Sequence, residues 1–108
     1  MDWHYIAGFF DGEGSISYNF KNKRSYVYVR ILNKNKDVLN SIKSFLRFGH
    51  ILTYNKGKTT EAFVFQISCQ KDVKQFLSEI ISLLIVKKEK SLKALNYIMK
   101  HPLIYEAR

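Results

Sequence analysis

The run Asp11-Gly12-Glu13-Gly14 holds the residues of this chain best suited to chemistry. Two carboxylates around a glycine offer the hard oxygen ligands that divalent cations such as Mg²⁺ or Mn²⁺ take. A cation held this way can activate a water and stabilise charge on a phosphate. The acids stand out because their surroundings are basic. The 108 residues carry 18 Lys and Arg against 9 Asp and Glu, a formal charge of +9. From Ser15 to Thr60 there is one acid, Asp37, among ten cations. A surplus of this size on a small body points to a polyanionic partner. Other chemistries lack their residues. Cys69 is the only cysteine, which excludes an internal disulfide and a Cys-rich metal site. His4, His50 and His101 are too far apart for a metal-ligand motif, and no Gly-rich phosphate loop or Ser-His-Asp signature is present.

Something must position those acids. Asp2 to Asp11 predicts a short helix, capped by Asp2 and ended by Gly12 and Gly14. Ala7 and Gly8 strip bulk from one face, and Gly8 and Gly12 lie four apart, so a second helix could approach closely. The strict alternation of Ser15–Lys21 predicts a strand with Ile16, Tyr18 and Phe20 inward. After a turn at Lys21–Arg24, Val27, Val29 and Ile31 line the inner face of a second strand. Its outer face alternates cations and aromatics: Arg24, Tyr26, Tyr28 and Arg30. A helix from about Asp37 buries Val38, Leu39, Ile42, Phe45 and Leu46 and closes at Gly49. Strands at His50–Tyr54 and Ala62–Cys69 follow, joined by a turn through Asn55–Lys58, with Phe63, Phe65 and Ile67 inward and Cys69 as a small core residue. Asp72 caps the next helix, whose buried face carries Val73, Phe76, Leu77, Ile80, Ile81 and Leu84. A last helix, from about Lys87 to Lys100, turns Leu92, Leu95 and Met99 inward. No Gly or Pro separates these two helices, so periodicity leaves open whether they are continuous. Trp3 and Phe9 read as packing residues.

The expected fold is α+β: a single domain over residues 1–108 with α-ββα-ββα topology and a terminal helix. Its four-stranded antiparallel sheet has helices on one face and leaves the other face open. Hydrophobic residues at 46% suffice for a core and exclude a disordered tail. Met1-Asp2-Trp3-His4 does not read as a signal peptide, and Ile80–Val86 is far shorter than the ~20 residues a membrane span needs. The expectation is a soluble protein of a reducing intracellular compartment without membrane contact; prokaryotic cytoplasm and an organelle both fit.

Ile6-Ala7-Gly8-Phe9-Phe10-Asp11-Gly12-Glu13-Gly14, followed by Ser15-Ile16, resembles the signature of the LAGLIDADG homing endonucleases. The resemblance extends over nearly the whole chain, and the single motif copy resembles members that act as homodimers. It implies that Glu13 and the Gly12 carbonyl hold the catalytic metal, Mg²⁺ or Mn²⁺. Asn33 is the nearest match to a water-ordering polar residue, and Lys87 or Lys88 matches a lysine before the terminal helix. Ala7, Gly8 and Asp11 match the contact between subunits. The open sheet face matches a saddle for double-stranded DNA, with Ser17, Asn19, Lys21, Lys23, Arg24, Tyr26, Tyr28, Arg30, Lys34, His50, Tyr54, Lys56, Lys58 and Gln66 as contacts. Lysines at turns suit phosphates, whereas Arg30, Tyr28, Gln66 and Asn19 suit base edges. The implied activity is a staggered double-strand cut with 3′ overhangs in a long, roughly palindromic target. Two other activities use the same basic surface: splicing of structured intron RNA as a maturase, and DNA binding without catalysis.

Overall fold

Asp2 starts the first helix. Its side chain accepts the backbone N–H of Tyr5 at 2.8 Å, and α1 runs Trp3–Glu13. At Gly14 the backbone becomes extended while its N–H still returns to the Phe10 carbonyl. Glycine is required here, because a β-carbon would overlap the Phe10 ring. The structure, a computed structural model, describes residues 1–101. After α1 come β1 (Gly14–Lys21), β2 (Arg24–Asn33), α2 (Lys36–Leu46), β3 (His50–Tyr54), β4 (Ala62–Ile67) and α3 (Gln70–Ile80). A short 3₁₀ turn, Ile81–Leu83, then leads toward α4 (Lys88–Lys100).

The strands form one antiparallel sheet in the order β1-β2-β4-β3. Asn22 and Lys23 take φ of 53° and 64°, the left-handed pair that matches a hairpin turn to the twist of β1 and β2. The buried residues Val27, Val29, Ile31, Phe65 and Ile67 set which sheet face meets the helices. Against them pack Ile6 and Phe10 of α1, Leu39 and Ile42 of α2, Val73, Phe76 and Leu77 of α3, and Ala94 and Ile98 of α4. Phe10 meets Phe76 edge-on at 5.4 Å, and Trp3 packs against Phe45 at 5.5 Å. The architecture is the expected α+β one, with the opposite sheet face open.

Several expectations are corrected. Tyr18 and Phe20 keep the phase of Ile16, yet both are exposed, Phe20 by 71%, because the β1–β2 hairpin outruns the helical layer. Tyr18 finds only the edge of Tyr97, at 6.0 Å; burial and that neighbour raise its phenol above the ordinary tyrosine range. Phe45 is likewise exposed. Arg47, at φ 67°, ends α2 in place of Gly49, whose φ of 93° lets the backbone pass against the Phe65 ring. β4 stops at Ile67, and Cys69 is exposed at the cap of α3. Asp72 lies within the first turn of α3, where its charge suits the helix dipole, without capping it. On α4 the buried residues are Ser91, Ala94, Leu95 and Ile98, whereas Leu92 and Met99 are exposed. The small Ser91 and Ala94 let α4 lie close to α3. Helices α3 and α4 are separate, since the chain is extended at Leu84.

Gln70 was not singled out by its sequence position. It is buried, and its amide bonds the backbone of Val27 twice, accepting from N–H at 2.9 Å and donating to C=O at 2.8 Å. β2 is longer than β4, and at Val27 no β4 residue remains to pair with it. The Gln70 side chain takes the place of the missing strand.

Candidate metal centre and nucleic-acid interface

The two acids of the motif have different fates. Asp11 is turned toward its own chain: its carboxylate accepts the N–H of Ile85 at 2.6 Å and that of Lys87 at 2.9 Å. In return, Lys87 Nζ donates to the Asp11 carbonyl at 2.6 Å. Desolvation would push the Asp11 carboxyl up. The backbone N–H groups of Lys87, Ile85 and Val86, with the Lys87 charge, outweigh it and hold the group below the ordinary carboxylate range. This clamp also explains the break between α3 and α4, because it binds the Ile85 and Lys87 N–H groups that a continuous helix would use. Asp11 is therefore a staple inside the protomer. Ala7, 1% exposed, is likewise part of the core and presents no surface. Gly8 and Gly12 remain on the open face of α1, where a β-carbon would meet nothing within 4 Å.

Glu13 is exposed at the end of α1. It lies between two open hollows at one end of the sheet. One is lined by Leu32, Asn33, Lys34, Tyr54, Asn55, Thr60 and Ala62 as well as Glu13. The other brings Glu13 together with Ser15, Arg30, Leu32, Leu52, Thr53, Tyr54, Val64 and Gln66. Asn33 thus shares a hollow with Glu13, although its Oδ1 already accepts the N–H of Asn35 at 2.7 Å. Of the two candidate lysines, Lys87 has its ammonium held at the end of α1, while Lys88 is exposed. Leu32, Asn55 and Thr60 were not among the expected site residues; nothing in their local sequence marks them, and the pairing of β2, β4 and β3 brings them in.

Among the described residues no cluster of three or more His, Cys, Asp or Glu forms a ready metal cage. The donor set suits Mg²⁺ in its usual mode with phosphate substrates, which is one or two carboxylates completed by phosphate oxygens and water. Glu13 would supply the carboxylate. The Gly12 carbonyl, at a helix end where later N–H partners run out, would supply a second oxygen.

The open sheet face carries most of the other expected residues in rows. Ser15, Arg30, Gln66 and His50 stand opposite one another across all four strands, and Arg30 Nε donates to Gln66 Oε1 at 2.8 Å. Farther along the hairpin come the pairs Ser17–Tyr28 and Asn19–Tyr26, then Lys21 and Lys23 at its tip. Asn19 Nδ2 reaches the Tyr28 hydroxyl at 3.5 Å, and the Lys21 ammonium lies 5.6 Å from the Tyr26 ring. Lys56 and Lys58 are exposed on the β3–β4 loop, which Asn55 and Gly57 shape with φ of 53° and 80°. Arg24 is the exception: its guanidinium bonds the His101 carbonyl and lies against Tyr26, tying the hairpin to the end of α4. It is a structural tie rather than a free cation.

The open sheet face is basic, and one exposed motif acid stands at its end. The chain belongs to the LAGLIDADG family: residues 2–98 match the LAGLIDADG-like domain. No curated protein sequence matches it. Among solved structures it is similar to the homing endonuclease I-CvuI, in complex with its target in the presence of Ca, at 19% identity and TM-score 0.80, covering 93% of this chain and 67% of that one. It is similar to the archaeal intron-encoded homing endonuclease I-Vdi141I, complexed with DNA, at 27% identity and TM-score 0.72, covering 92% and 69%. The meganuclease I-AabMI, bound to uncleaved DNA, is similar at 22% identity and TM-score 0.73, with 94% of this chain spanning 38% of that larger one. The fold is that of the LAGLIDADG homing endonucleases. No helix among the described residues is long and apolar enough to cross a membrane.

Proposed function

We propose that this chain is a single-domain, site-specific homing endonuclease that cuts double-stranded DNA as a homodimer with Mg²⁺ or Mn²⁺. One observation carries the reading: Glu13 is the motif acid left exposed, between two hollows at the end of a basic sheet, while Asp11 is committed to the chain. Glu13 and the Gly12 carbonyl hold the cation, which supplies Lewis acidity and a more acidic water. The Asn33 amide orients a water near the scissile phosphate. The Lys87 ammonium, with Lys88 beside it, stabilises charge on the phosphate oxygens. Lysines at the hairpin tip and on the β3–β4 loop hold phosphates, and Arg30, Gln66, Tyr28 and Asn19 address base edges.

Each copy offers one free motif carboxylate, and a duplex has two strands. The open stripe of Gly8 and Gly12 on α1 supports pairing of two copies back to back, which brings both Glu13 residues to the centre of one saddle. A symmetric reader takes a roughly palindromic site, and the two cuts are staggered with 3′ overhangs. The test is cleavage of a randomised duplex library by wild type and Glu13→Gln, with Mg²⁺ and with Ca²⁺. Cleavage by wild type in Mg²⁺, reduced about 10²-fold or more in Glu13→Gln with binding retained, is expected. Specific binding without cleavage leaves a DNA-binding module. Failure to bind duplex, with capture of structured intron RNA, leaves a maturase.

A further inference from the structure

The open sheet face is not uniformly polar. Leu32 on β2 pairs with Val64 on β4, which pairs with Leu52 on β3. Three apolar side chains thus stand side by side across three strands near the Glu13 end of the sheet, on the face turned away from the core. Leu32 is 46% exposed and Leu52 49%, so no other described part of the chain covers them. The next row is the polar one of Arg30, Gln66 and His50. A sheet face that only had to stay solvated would carry polar residues in this row as well.

The strip lies within one surface with the cationic positions, and it shares a hollow with Glu13. Whatever covers it must therefore be anionic as a whole and present an apolar group locally. Duplex DNA does this in one way: in the major groove, the single apolar group on any base edge is the C5-methyl of thymine. We propose that Leu32, Val64 and Leu52 form a reading strip that receives a thymine methyl close to the phosphate served by Glu13. Arg30 and Gln66 read the adjacent base pair by hydrogen bonds. The strip then favours thymine over cytosine by contact alone. The inference rests on the DNA reading above and adds which base is preferred and where.

The test uses full-length Glu13→Gln protein in Ca²⁺ to select bound duplexes from a randomised library. Thymine is expected to be enriched at one position at the inner end of each half-site, beside the cut. Replacing that thymine by uracil removes the methyl and nothing else. Binding should weaken about fourfold for one half-site and about 15-fold for both. Leu52→Asn should erase the difference between thymine and uracil while keeping the preference at the Arg30 position. Val64→Thr, nearly equal in shape, gives the same reading should Leu52→Asn fail to fold. Tight, specific binding with no thymine at that position, or with uracil bound equally well, overturns the strip and leaves the DNA reading standing. Absence of any specific duplex binding overturns both.

Discussion

The side-chain amide of Gln70 makes the two backbone hydrogen bonds to Val27 that a longer β4 would have made. A third bond, from Nε2 to the Ser68 carbonyl at 2.9 Å, fixes the amide in place. Gln70→Leu keeps the volume and leaves a buried N–H and C=O on β2 without partners. The expected cost is about 2–4 kcal/mol, read as a lower urea midpoint at unchanged m-value. Amide exchange at Val27 should rise first, because the hairpin loses its anchor to α3.

Asp11 makes stability depend on pH in a definite direction. Its carboxyl is held below the ordinary carboxylate value in the folded chain. Its contribution is therefore complete above the unfolded value of about 3.9 and is lost as pH falls through the folded one. Asp11→Asn should be less stable than wild type at pH 7, by about 1–3 kcal/mol. The gap should narrow on acidification to pH 3. Urea denaturation of both proteins at the two pH values checks this, and a constant gap would rule out the clamp as its cause.

Gly8 sits where an added β-carbon meets nothing within 4 Å in the protomer. Gly8→Leu should leave helical circular dichroism unchanged and change the thermal midpoint by no more than the small cost or gain of an exposed helix substitution. In sedimentation, wild type should run as a dimer and the variant as a monomer. A dimeric variant would mean that α1 does not form the joint.

Phosphate and base contacts should separate by salt. Lys56→Ala should weaken DNA binding about equally for all sequences and lower the slope of log K against log salt by about 0.9. Arg30→Ala should instead cost about 1–3 kcal/mol at the selected target and relax one position of it. Binding isotherms at several salt concentrations distinguish the two.

The periodic parts of this chain were legible because one face of each is buried. Val27, Val29 and Ile31 alternate, and the core lies on their side. The same alternation misplaced Tyr18 and Phe20, since a period says which side a residue faces and not whether a helix extends far enough to cover it. On α4, size mattered more than hydrophobicity: Ser91 and Ala94 are buried where close approach is needed, and Leu92 and Met99 are not. The motif located Glu13. The clamp that holds Asp11 depends on Ile85 and Lys87, some 74 positions later in the chain, and no local pattern carries that information. The row formed by Leu32, Val64 and Leu52 was hidden for the same reason, because it exists only once three strands are in register.

The hydrogen bond between Arg30 and Gln66 has an evolutionary consequence for a protein that reads DNA with this face. Because each side chain orients the other, neither can be exchanged alone without disturbing what its neighbour recognises. Drift toward a new target must change both positions together or pass through an intermediate with blurred recognition. Related chains with other targets should therefore differ at these two positions as a pair, which makes the pair the natural unit for redirecting the protein by mutagenesis.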